Sequence, residues 1–197
     1  MAQRIVRYGR PMTTDNVALR ALRRTRQVRD LSGEPITDEQ LAAILEVARW
    51  TGSSRNRQMW RFVVVRDPDR LRAIGLEPSG ERRGGIGHVA GAGAAIAIVM
   101  MTDKPTWETY DEARVAERIL IAATAVGLAG AIGWVRDYQQ TEVRAILGLP
   151  EDRVLRTIVS VGHPTEAGAR PKSAPGEARR PLDELVYEER WGGSDGS

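Results

Sequence analysis

Two segments in the first quarter of the chain place hydrophobic residues at the spacing of an amphipathic helix. The first begins near Asp15 and ends in the arginine-rich run 23–29. The second is better marked, because Thr37 and Gln40 have the spacing of a capping box ahead of the apolar face carried by residues 41–48. Both segments are predicted to be helices that pack one side against a core.

Strands are predicted from short apolar runs that are bounded by glycine, proline or aspartate. There are four such runs, at residues 60–65, 94–101, 131–135 and 156–161. The second run is apolar throughout, which is typical of a strand that is buried on both faces. Helices and strands alternate only loosely along the chain, so the pattern predicts an α+β fold around a mixed sheet.

The remaining segments are rich in glycine or proline and are predicted to be irregular. Residues 75–93 contain many glycines and predict a mobile loop. The proline-rich tail after His163 should run extended over a surface, for which another subunit is one candidate. The predicted organisation is a basic N-terminal arm over 1–14, one domain over 15–191 and a disordered tail over 192–197.

Composition narrows the class of protein. The 197 residues include no cysteine, which excludes a disulfide framework, a thiolate zinc site and a cysteine nucleophile, and favours a reducing, cytoplasmic location. The first residues are charged and lack the apolar core of a signal peptide, so export is not expected. The formal net charge of +3 is small for this length and does not by itself indicate a nucleic-acid-binding protein.

Several catalytic motifs are absent from the sequence. It contains no His-Glu-x-x-His zinc motif, no P-loop and no Gly-x-Ser-x-Gly nucleophile elbow. The two histidines, His88 and His163, are far apart in sequence and are predicted to be loop residues rather than metal ligands. We therefore expect no metal site, and three short polar segments carry the positive chemical signals.

The first polar segment is Arg26-Gln27-Val28-Arg29, which follows the first predicted helix. Two guanidinium groups with five donors each suit a phosphate group. On composition alone the commoner alternative is a solvated basic helix end, whose cations complement the helix dipole.

The second polar segment is the loop 51–58 between the second helix and the first strand. It offers hydroxyls from Ser53 and Ser54 and side-chain amides from Asn56 and Gln58. An amide presents a donor beside an acceptor and can bind the edge of a flat heterocycle, while hydroxyls suit ribityl or phosphate oxygens. An ordinary polar connection explains the same residues equally well.

The third polar segment is the pair Arg179 and Arg180 in the tail, which suits an anion but more often keeps a tail soluble. Taken in order along the chain, these segments resemble the FMN-dependent nitroreductase family. The resemblance runs from about residue 22 to residue 191 and consistent motifs carry it. They are Arg26-Gln27-x-Arg29-x-Leu31, residues 48–62 with Asn56-x-Gln58-x-Trp60, Ala122-Ala123 with Gly127-Leu128, and Gly162-His163-Pro164 followed by Arg179-Arg180-Pro181-Leu182.

Four positions depart from the pattern of that family. Gln27 and Leu31 stand where serine and phenylalanine are common, and Gly52 and Met59 stand where the family has prolines. The phosphate and amide positions are intact, so the departures bear on the shape of the loop and on the tilt of the flavin.

The resemblance implies a mixed sheet flanked by helices, in a homodimer that exchanges C-terminal segments and holds two FMN molecules at its interface. The arginines would hold the FMN phosphate and ribityl chain or lie near the pyrimidine edge of the flavin, the loop residues would approach the flavin from the partner subunit, and the strand after the central helix would supply backbone contacts. Carried over position by position, the cofactor-binding residues are Arg26, Gln27, Arg29, Ser53, Ser54, Asn56, Gln58, Gly130, Ala131, Ile132, Arg179 and Arg180.

The resemblance also implies the reaction. NADH or NADPH would deliver a hydride to the flavin, which would then reduce a small acceptor such as a nitroaromatic or a quinone in a ping-pong cycle. This chemistry requires no proton-transferring side chain, so no catalytic residue is assigned. Arg29 would stabilise the negative charge of the reduced flavin.

Two alternatives stay open. The same fold also supports flavin fragmentation, dehalogenation and dehydrogenation, because a fold does not fix a reaction. Within the glycine-rich segment, Arg82, Arg83 and His88 could favour an anionic oxidant, although solvated charges are the commoner explanation. A non-enzymatic alternative, ranked low, is nucleic-acid binding through the arginines of residues 4–29.

Overall fold

A four-stranded antiparallel sheet forms the centre of the computed structural model, which describes residues 17–101, 105–173, 179–187 and 191. The strands are β1 (Trp60–Val65), β2 (Ala94–Met100), β3 (Ala129–Trp134) and β4 (Val154–Gly162), in the spatial order β1-β2-β4-β3. The four predicted strands are confirmed to within two residues at each end. No helix in the described part of the chain is long and apolar enough to cross a membrane.

The direction of the strands corrects one prediction. A mixed sheet was expected, but every pair of neighbouring strands in the described sheet is antiparallel. One parallel pairing is present as an isolated bridge between Gln27 and Gly130, on the outer edge of β3. The segment before α2 therefore pairs with β3 through a single bridge and does not add a strand to the sheet.

Helices cover both faces of the sheet. They are α1 (Val17–Arg24), α2 (Asp38–Arg49), α3 (Pro68–Gly75), α4 (Pro105–Ala125), α5 (Gln140–Leu147) and the single turn α6 (Glu166–Ala169). The predicted capping box of α2 is confirmed, because the backbone N–H of Gln40 donates to Thr37 Oγ1 (3.2 Å) and that of Thr37 donates to Gln40 Oε1 (3.0 Å). The predicted fold class, α+β with flanking helices, is confirmed.

Strand β2 divides the core into two parts. All seven of its residues are buried, as its uninterrupted apolar sequence predicts. Ile96 and Ile98 pack in a cluster with α2 and α4, whereas Ala95 and Ala97 pack in a second cluster with α3 and with Ile86. The two-residue period of a strand thus builds one core on each side of the sheet.

The glycine-rich segment is built into the core, so the prediction of a mobile loop over 75–93 is wrong. Leu76 pairs with Arg82 as an isolated bridge, and the segment continues into the 3₁₀ helix Gly87–Gly91. Ile86 and Val89 are fully buried. Burying such side chains stabilises a fold by about 1.5–3 kcal/mol each, which holds the segment in place.

The two ends of the chain lie mostly outside the described residues. This applies to the predicted basic arm 1–14, to Asp15 and to the predicted disordered tail 192–197. Within the described part of the tail, residues 181–187 are exposed where their side chains are described, and they contain the 3₁₀ helix Leu182–Glu184.

Candidate functional site

The arginine segment 26–29 lies along the edge of β3. The backbone N–H of Val28 donates to Gly130 O (2.7 Å), and the side-chain Oε1 of Gln27 accepts a hydrogen bond from Ile132 N (3.2 Å). Ala131 lies between these two contacts in the strand. The structure therefore brings four predicted site residues together, Gln27 with Gly130, Ala131 and Ile132.

A turn of the C-terminal region holds the other side of this segment. Ser32 N donates to His163 O (2.9 Å) and Thr165 N donates to Asp30 O (3.0 Å). Gly168 is required at the end of this turn, because an added Cβ would lie 2.3 Å from Asp30 O. The arginine segment is thus fixed between β3 and residues 163–168.

Arg26 points toward the C-terminal region and is half-buried. Its Nη2 atom donates to the carbonyl oxygens of Gly168 (2.7 Å) and Ala169 (2.8 Å). These two bonds leave the rest of its donor fork to line a cavity of about 560 Å³. Arg26 therefore both holds the turn and presents charge to the cavity.

This first cavity is strongly basic. The charged side chains among its described lining residues are all cations, with no Asp or Glu among them. Such a set suits a dianionic group such as phosphate. The five cations are Arg23, Arg24, Arg26, Lys172 and Arg179.

The two arginines of the tail differ in their placement. Arg179 lines the first cavity together with Arg26, as the predicted phosphate clamp requires. Arg180 is exposed and is not among the lining residues of that cavity. Only one member of the predicted pair therefore joins the site in a single chain.

Arg29 lines a second cavity, of about 410 Å³, at the other end of the arginine segment. Its remaining described lining residues are Arg82, Arg83, Gly85, Gly87, His88 and Arg136. The charge of Arg83 is balanced, since its Nη1 lies 3.1 Å from Glu77 Oε2 and its Nη2 lies 2.7 Å from Glu142 Oε1.

His88 forms the floor of the second cavity. It is 4% exposed, and its Nδ1 lies 2.7 Å from Ser160 Oγ. Burial lowers the pKa of His88 to about 4, with further lowering by the positive charges of Arg29 and Arg82. The imidazole is therefore neutral at pH 7. A hydrogen bond between the ring and the backbone of Gly85 partly opposes this lowering of the pKa of His88, and Nε2 is buried.

The polar loop predicted from the sequence is held by its own side chains. Ser53 Oγ accepts a hydrogen bond from Gln58 N (2.9 Å), and Gln58 Nε2 donates to Asn56 Oδ1 (3.1 Å). Ser54 N donates to Asp111 Oδ2 (2.8 Å), which fixes the loop to α4. The four predicted loop residues therefore lie together.

The same loop adopts an unusual backbone conformation. Arg55, Asn56 and Gln58 have φ angles of 52°, 55° and 49°, in the left-handed region that side chains other than glycine rarely occupy. Each such residue costs on the order of 1 kcal/mol. The bonds made by Ser53 and Ser54 hold this conformation in place.

The polar loop and the arginine segment lie at diagonally opposite corners of the sheet. The loop leads into Trp60, which pairs with Met100 at the end of β2, whereas Gly130 pairs with Val161 of β4, beside Ala94 at the start of β2. The two corners are three strand spacings apart across the sheet and about six residues apart along the strands. Together these separations amount to about 25 Å. One chain therefore does not bring the two groups into a single site.

Four cations of these cavities are not among the candidate residues predicted from the sequence: Arg23 and Arg24, which lie in the predicted arginine-rich run, and Arg136 and Lys172. Arg136 follows β3 directly, and Lys172 follows the turn that Arg26 holds. The one available signal for Arg136 was its position at the end of an edge strand, where side chains often face a site. The signal for Lys172 was weaker, since a lysine beside proline in a tail is normally solvated.

A comparison with protein families identifies the chain. The model of the Nitroreductase family matches residues 22–163, which is more than half of the sequence. The chain belongs to the nitroreductase family. The resemblance stated from the sequence is thereby confirmed, and with it the prediction of an oxidoreductase.

Relatives of known name support the family. A protein of Archaeoglobus fulgidus, provisionally named an NADH dehydrogenase/NAD(P)H nitroreductase, is 30% identical over 150 residues, covering 72% of this chain and 82% of its own. An FMN-dependent nitroreductase from Clostridium difficile has a TM-score of 0.74 at 23% identity, covering 87% of this chain and 98% of its own. This second likeness concerns the fold alone.

A third relative was solved with its cofactor. It is a provisionally named nitroreductase from Desulfovibrio desulfuricans in complex with FMN. The TM-score is 0.70 at 26% identity, and the match covers 91% of this chain and all of that one.

Proposed function

We propose that this nitroreductase-family chain is an NAD(P)H-dependent FMN oxidoreductase that reduces a small acceptor, such as a nitroaromatic or a quinone, in a ping-pong cycle. One observation carries the proposal: the segment Arg26–Arg29 runs along β3 with a basic cavity at each end. The names of the relatives support the cofactors, because one was solved in complex with FMN and one is an NAD(P)H nitroreductase by its provisional name.

The residues present fit FMN. The phosphate of FMN is an anion, and the first cavity offers five cations with no described carboxylate. The pyrimidine edge of the flavin combines carbonyl oxygens with nitrogen, and the second cavity offers the guanidinium of Arg29. Three residues of extended chain span about 10 Å, which suits a ligand with a phosphate at one end and a ring at the other.

When bound, FMN would supply hydride acceptance from NADH or NADPH and electron donation to the acceptor. Arg26 and Arg179 would hold the phosphate. Gln27 is already positioned by Ile132 N and would face the ribityl chain, while Gly130, Ala131 and Ile132 would border the ring. Arg29 would place a permanent positive charge at the pyrimidine edge and so favour reduction.

The diagonal placement of the polar loop supports a homodimer. Within one chain the polar loop and the arginine segment lie at opposite corners of the sheet, too far apart to share a site. The predicted site residues of the loop are Ser53, Ser54, Asn56 and Gln58. A second copy related by a twofold axis would bring its loop to that segment and receive the other loop in return. The dimer would also give the extended tail a partner surface, including Arg180.

Exposed aromatic residues favour the same assembly. Trp50, Trp107 and Tyr110 are 68%, 66% and 73% exposed, at the end of α2 and near the start of α4. The polar loop is bonded to the same part of α4 through Asp111. Large exposed aromatic side chains commonly mark protein interfaces. A partner subunit that covers this face would bring the polar loop to the arginine segment of that partner.

The spectrum of the purified protein tests the proposal. We expect a yellow protein with the absorbance bands of bound flavin, or a colourless one that acquires them when FMN is added. Anaerobic addition of NADH and NADPH in separate titrations should bleach these bands, and nitroaromatics, quinones and oxygen should restore them at rates that identify the acceptor class. Restoration by none of these acceptors would favour fragmentation, dehalogenation or dehydrogenation.

Rejection of FMN would contradict the proposal. If the protein remained colourless with FMN and retarded DNA in a salt-dependent way, the arginines of residues 4–29 would be a nucleic-acid-binding arm. A cytoplasmic location stays a prediction from the cysteine-free composition.

A further inference from the structure

The second cavity holds more positive charge than a flavin edge needs. Besides Arg29, the exposed side chains of Arg82 and Arg136 line it, and no carboxylate is among its described lining residues. Arg83 does not add to this excess, since Glu77 and Glu142 balance its charge. Three guanidinium groups of like charge around one cavity repel each other unless an anion lies between them.

Glycines let two of these arginines pack closely against the cavity wall. An added Cβ at Gly87 would lie 2.7 Å from Arg82 Cβ, and one at Gly84 would lie 3.2 Å from Arg136 Cζ. Gly85 has a φ of +83°, and an added Cβ there would lie 2.7 Å from Trp134 O. The absence of side chains at Gly87 and Gly84 thus leaves room for the Cβ of Arg82 and for the guanidinium group of Arg136.

His88 adds a buried polar group to the same cavity. Its Nδ1 lies 2.7 Å from Ser160 Oγ, and the backbone of Gly85 forms a further hydrogen bond with the ring. An added Cβ at Gly133 would lie 2.8 Å from Nε2 and 2.9 Å from Gly85 O, so glycine lets β3 pack closely against the imidazole. The imidazole therefore lines the cavity as a neutral, buried wall beside the arginines.

We propose that this cavity binds the oxyanion, a carboxylate or a phosphate, of the substrate that accepts electrons. Arg82 and Arg136 would bind the oxyanion directly. Placing the acceptor here rests on the proposed function, because that function puts the flavin beside Arg29. Binding of an anion to Arg82 and Arg136 does not depend on flavin.

The surroundings of the cavity favour an aromatic acceptor. Trp134 and Tyr138 flank Arg136 in the chain and are 53% and 65% exposed. The Tyr138 hydroxyl lies 3.4 Å from the position of a Cβ on Gly84, which is also 3.2 Å from Arg136 Cζ, so this ring lies beside one of the arginines of the cavity. Aromatic side chains beside guanidinium groups suit a flat ring that carries a negative charge.

Calorimetric titration of the FMN-reconstituted protein tests the site directly. The matched probes are 4-nitrobenzoate and the uncharged 4-nitrobenzyl alcohol. We expect nitrobenzoate to bind at least tenfold more tightly, and Arg82→Gln and Arg136→Gln each to weaken its binding about tenfold. Binding of the alcohol should change less than twofold. Arg70→Gln, an exposed arginine on α3, removes the same charge outside the cavity and should leave both affinities unchanged.

Separate half-reactions distinguish the acceptor from the nicotinamide donor, which also carries phosphates. In stopped-flow oxidation, the variants should raise the half-saturating concentration of nitrobenzoate about tenfold and leave its limiting rate unchanged. In reduction, NADH and NADPH should behave as in the wild type. If the variants change only the reaction with NADH or NADPH, the assignment of the cavity to the acceptor is wrong. Equal changes in half-saturating concentration for nitrobenzoate and the alcohol would also contradict it.

The outcomes also separate this inference from the proposed function. If the protein rejects FMN but binds nitrobenzoate through Arg82 and Arg136, the function fails and the anion site stands. If FMN binds and nicotinamide reduces it, but nitrobenzoate has no advantage over the alcohol, the function stands and the anion site is wrong.

Discussion

The Nδ1 atom of His88 lies 2.7 Å from Ser160 Oγ, in a buried contact that joins the 3₁₀ helix Gly87–Gly91 to the interior strand β4. Ser160 is fully buried, and its hydroxyl lies 3.5 Å from Ala131 O, in the strand that borders the arginine segment. The contact therefore ties the floor of the second cavity to the sheet. It also isolates the imidazole from water, which keeps it neutral.

Acid should destabilise the protein through His88. Its pKa falls from 6.5 to about 4 on folding, so the unfolded chain binds more protons between these values. The free energy of unfolding therefore has its full value above pH 6.5. It falls by about 3 kcal/mol in total as the pH falls to 4. Urea unfolding from pH 7.5 to 4 should show this loss in the wild type.

His88→Gln should flatten that pH dependence, because glutamine does not titrate. His163→Gln is the matched control, since it retains His88 and with it the loss between pH 6.5 and 4. An identical slope in wild type and His88→Gln would show that other groups dominate acid unfolding.

Arg26→Ala should weaken retention of FMN. The substitution removes one cation from the first cavity and the two hydrogen bonds to Gly168 and Ala169 that hold its wall. A charge-assisted contact of this kind corresponds to roughly a tenfold or greater change in dissociation constant. Flavin content after desalting measures the effect, with Arg72→Ala on α3 as the control. Unchanged flavin content in Arg26→Ala would count against the phosphate role.

Arg29→Gln should lower the reduction potential of bound FMN. A guanidinium near the pyrimidine edge favours the more negative, reduced form, and its removal takes that advantage away. A loss of about 1.4 kcal/mol corresponds to roughly 30 mV for a two-electron couple. Titration with a dye of known potential measures the shift. A potential equal to that of the wild type would remove the electronic role of Arg29.

The pattern of hydrophobic and polar residues predicted those elements whose sequence signals lie within a few neighbouring residues. The capping box of α2 requires only Thr37 and Gln40, three residues apart, and the burial of β2 follows from an uninterrupted apolar run. Strand direction is not local, because it depends on how the connections between strands return to the sheet. This is why the expected mixed sheet proved to be antiparallel.

The candidate site was predictable in its parts and not in its arrangement. A run of glycines is compatible with mobility and equally with close packing, and only tertiary contacts such as those of Gly87 with Arg82 distinguish the two. His88 and Ser160 are 72 residues apart, so no spacing in the sequence indicates that they are in contact. The role of Arg136 follows from the end of β3 lying beside that glycine segment.

Stability away from the site should depend on one buried ion pair. Arg156 Nη2 lies 2.6 Å from Glu112 Oε2, and their side chains are only 16% and 3% exposed. Glu112→Gln leaves the arginine without its counter-charge and should lower the free energy of unfolding by about 3 kcal/mol. The double variant Glu112→Leu/Arg156→Met should recover part of this loss. Glu46→Gln, in an exposed pair with Arg49, should have little effect by comparison.

Mixed dimers should reveal whether one site uses two chains. Arg26→Ala alters the arginine segment and Asn56→Ala alters the polar loop, which lie about 25 Å apart in one chain by strand spacing. If each site combines the segment of one chain with the loop of the other, a heterodimer of the two variants contains one intact site and one doubly altered site. Differently tagged chains, refolded together and purified through both tags, should then retain about half of the wild-type flavin with wild-type affinity. A heterodimer with no site of wild-type affinity would place each site within a single chain, because in that arrangement one site carries Arg26→Ala, the other carries Asn56→Ala, and mixing restores nothing.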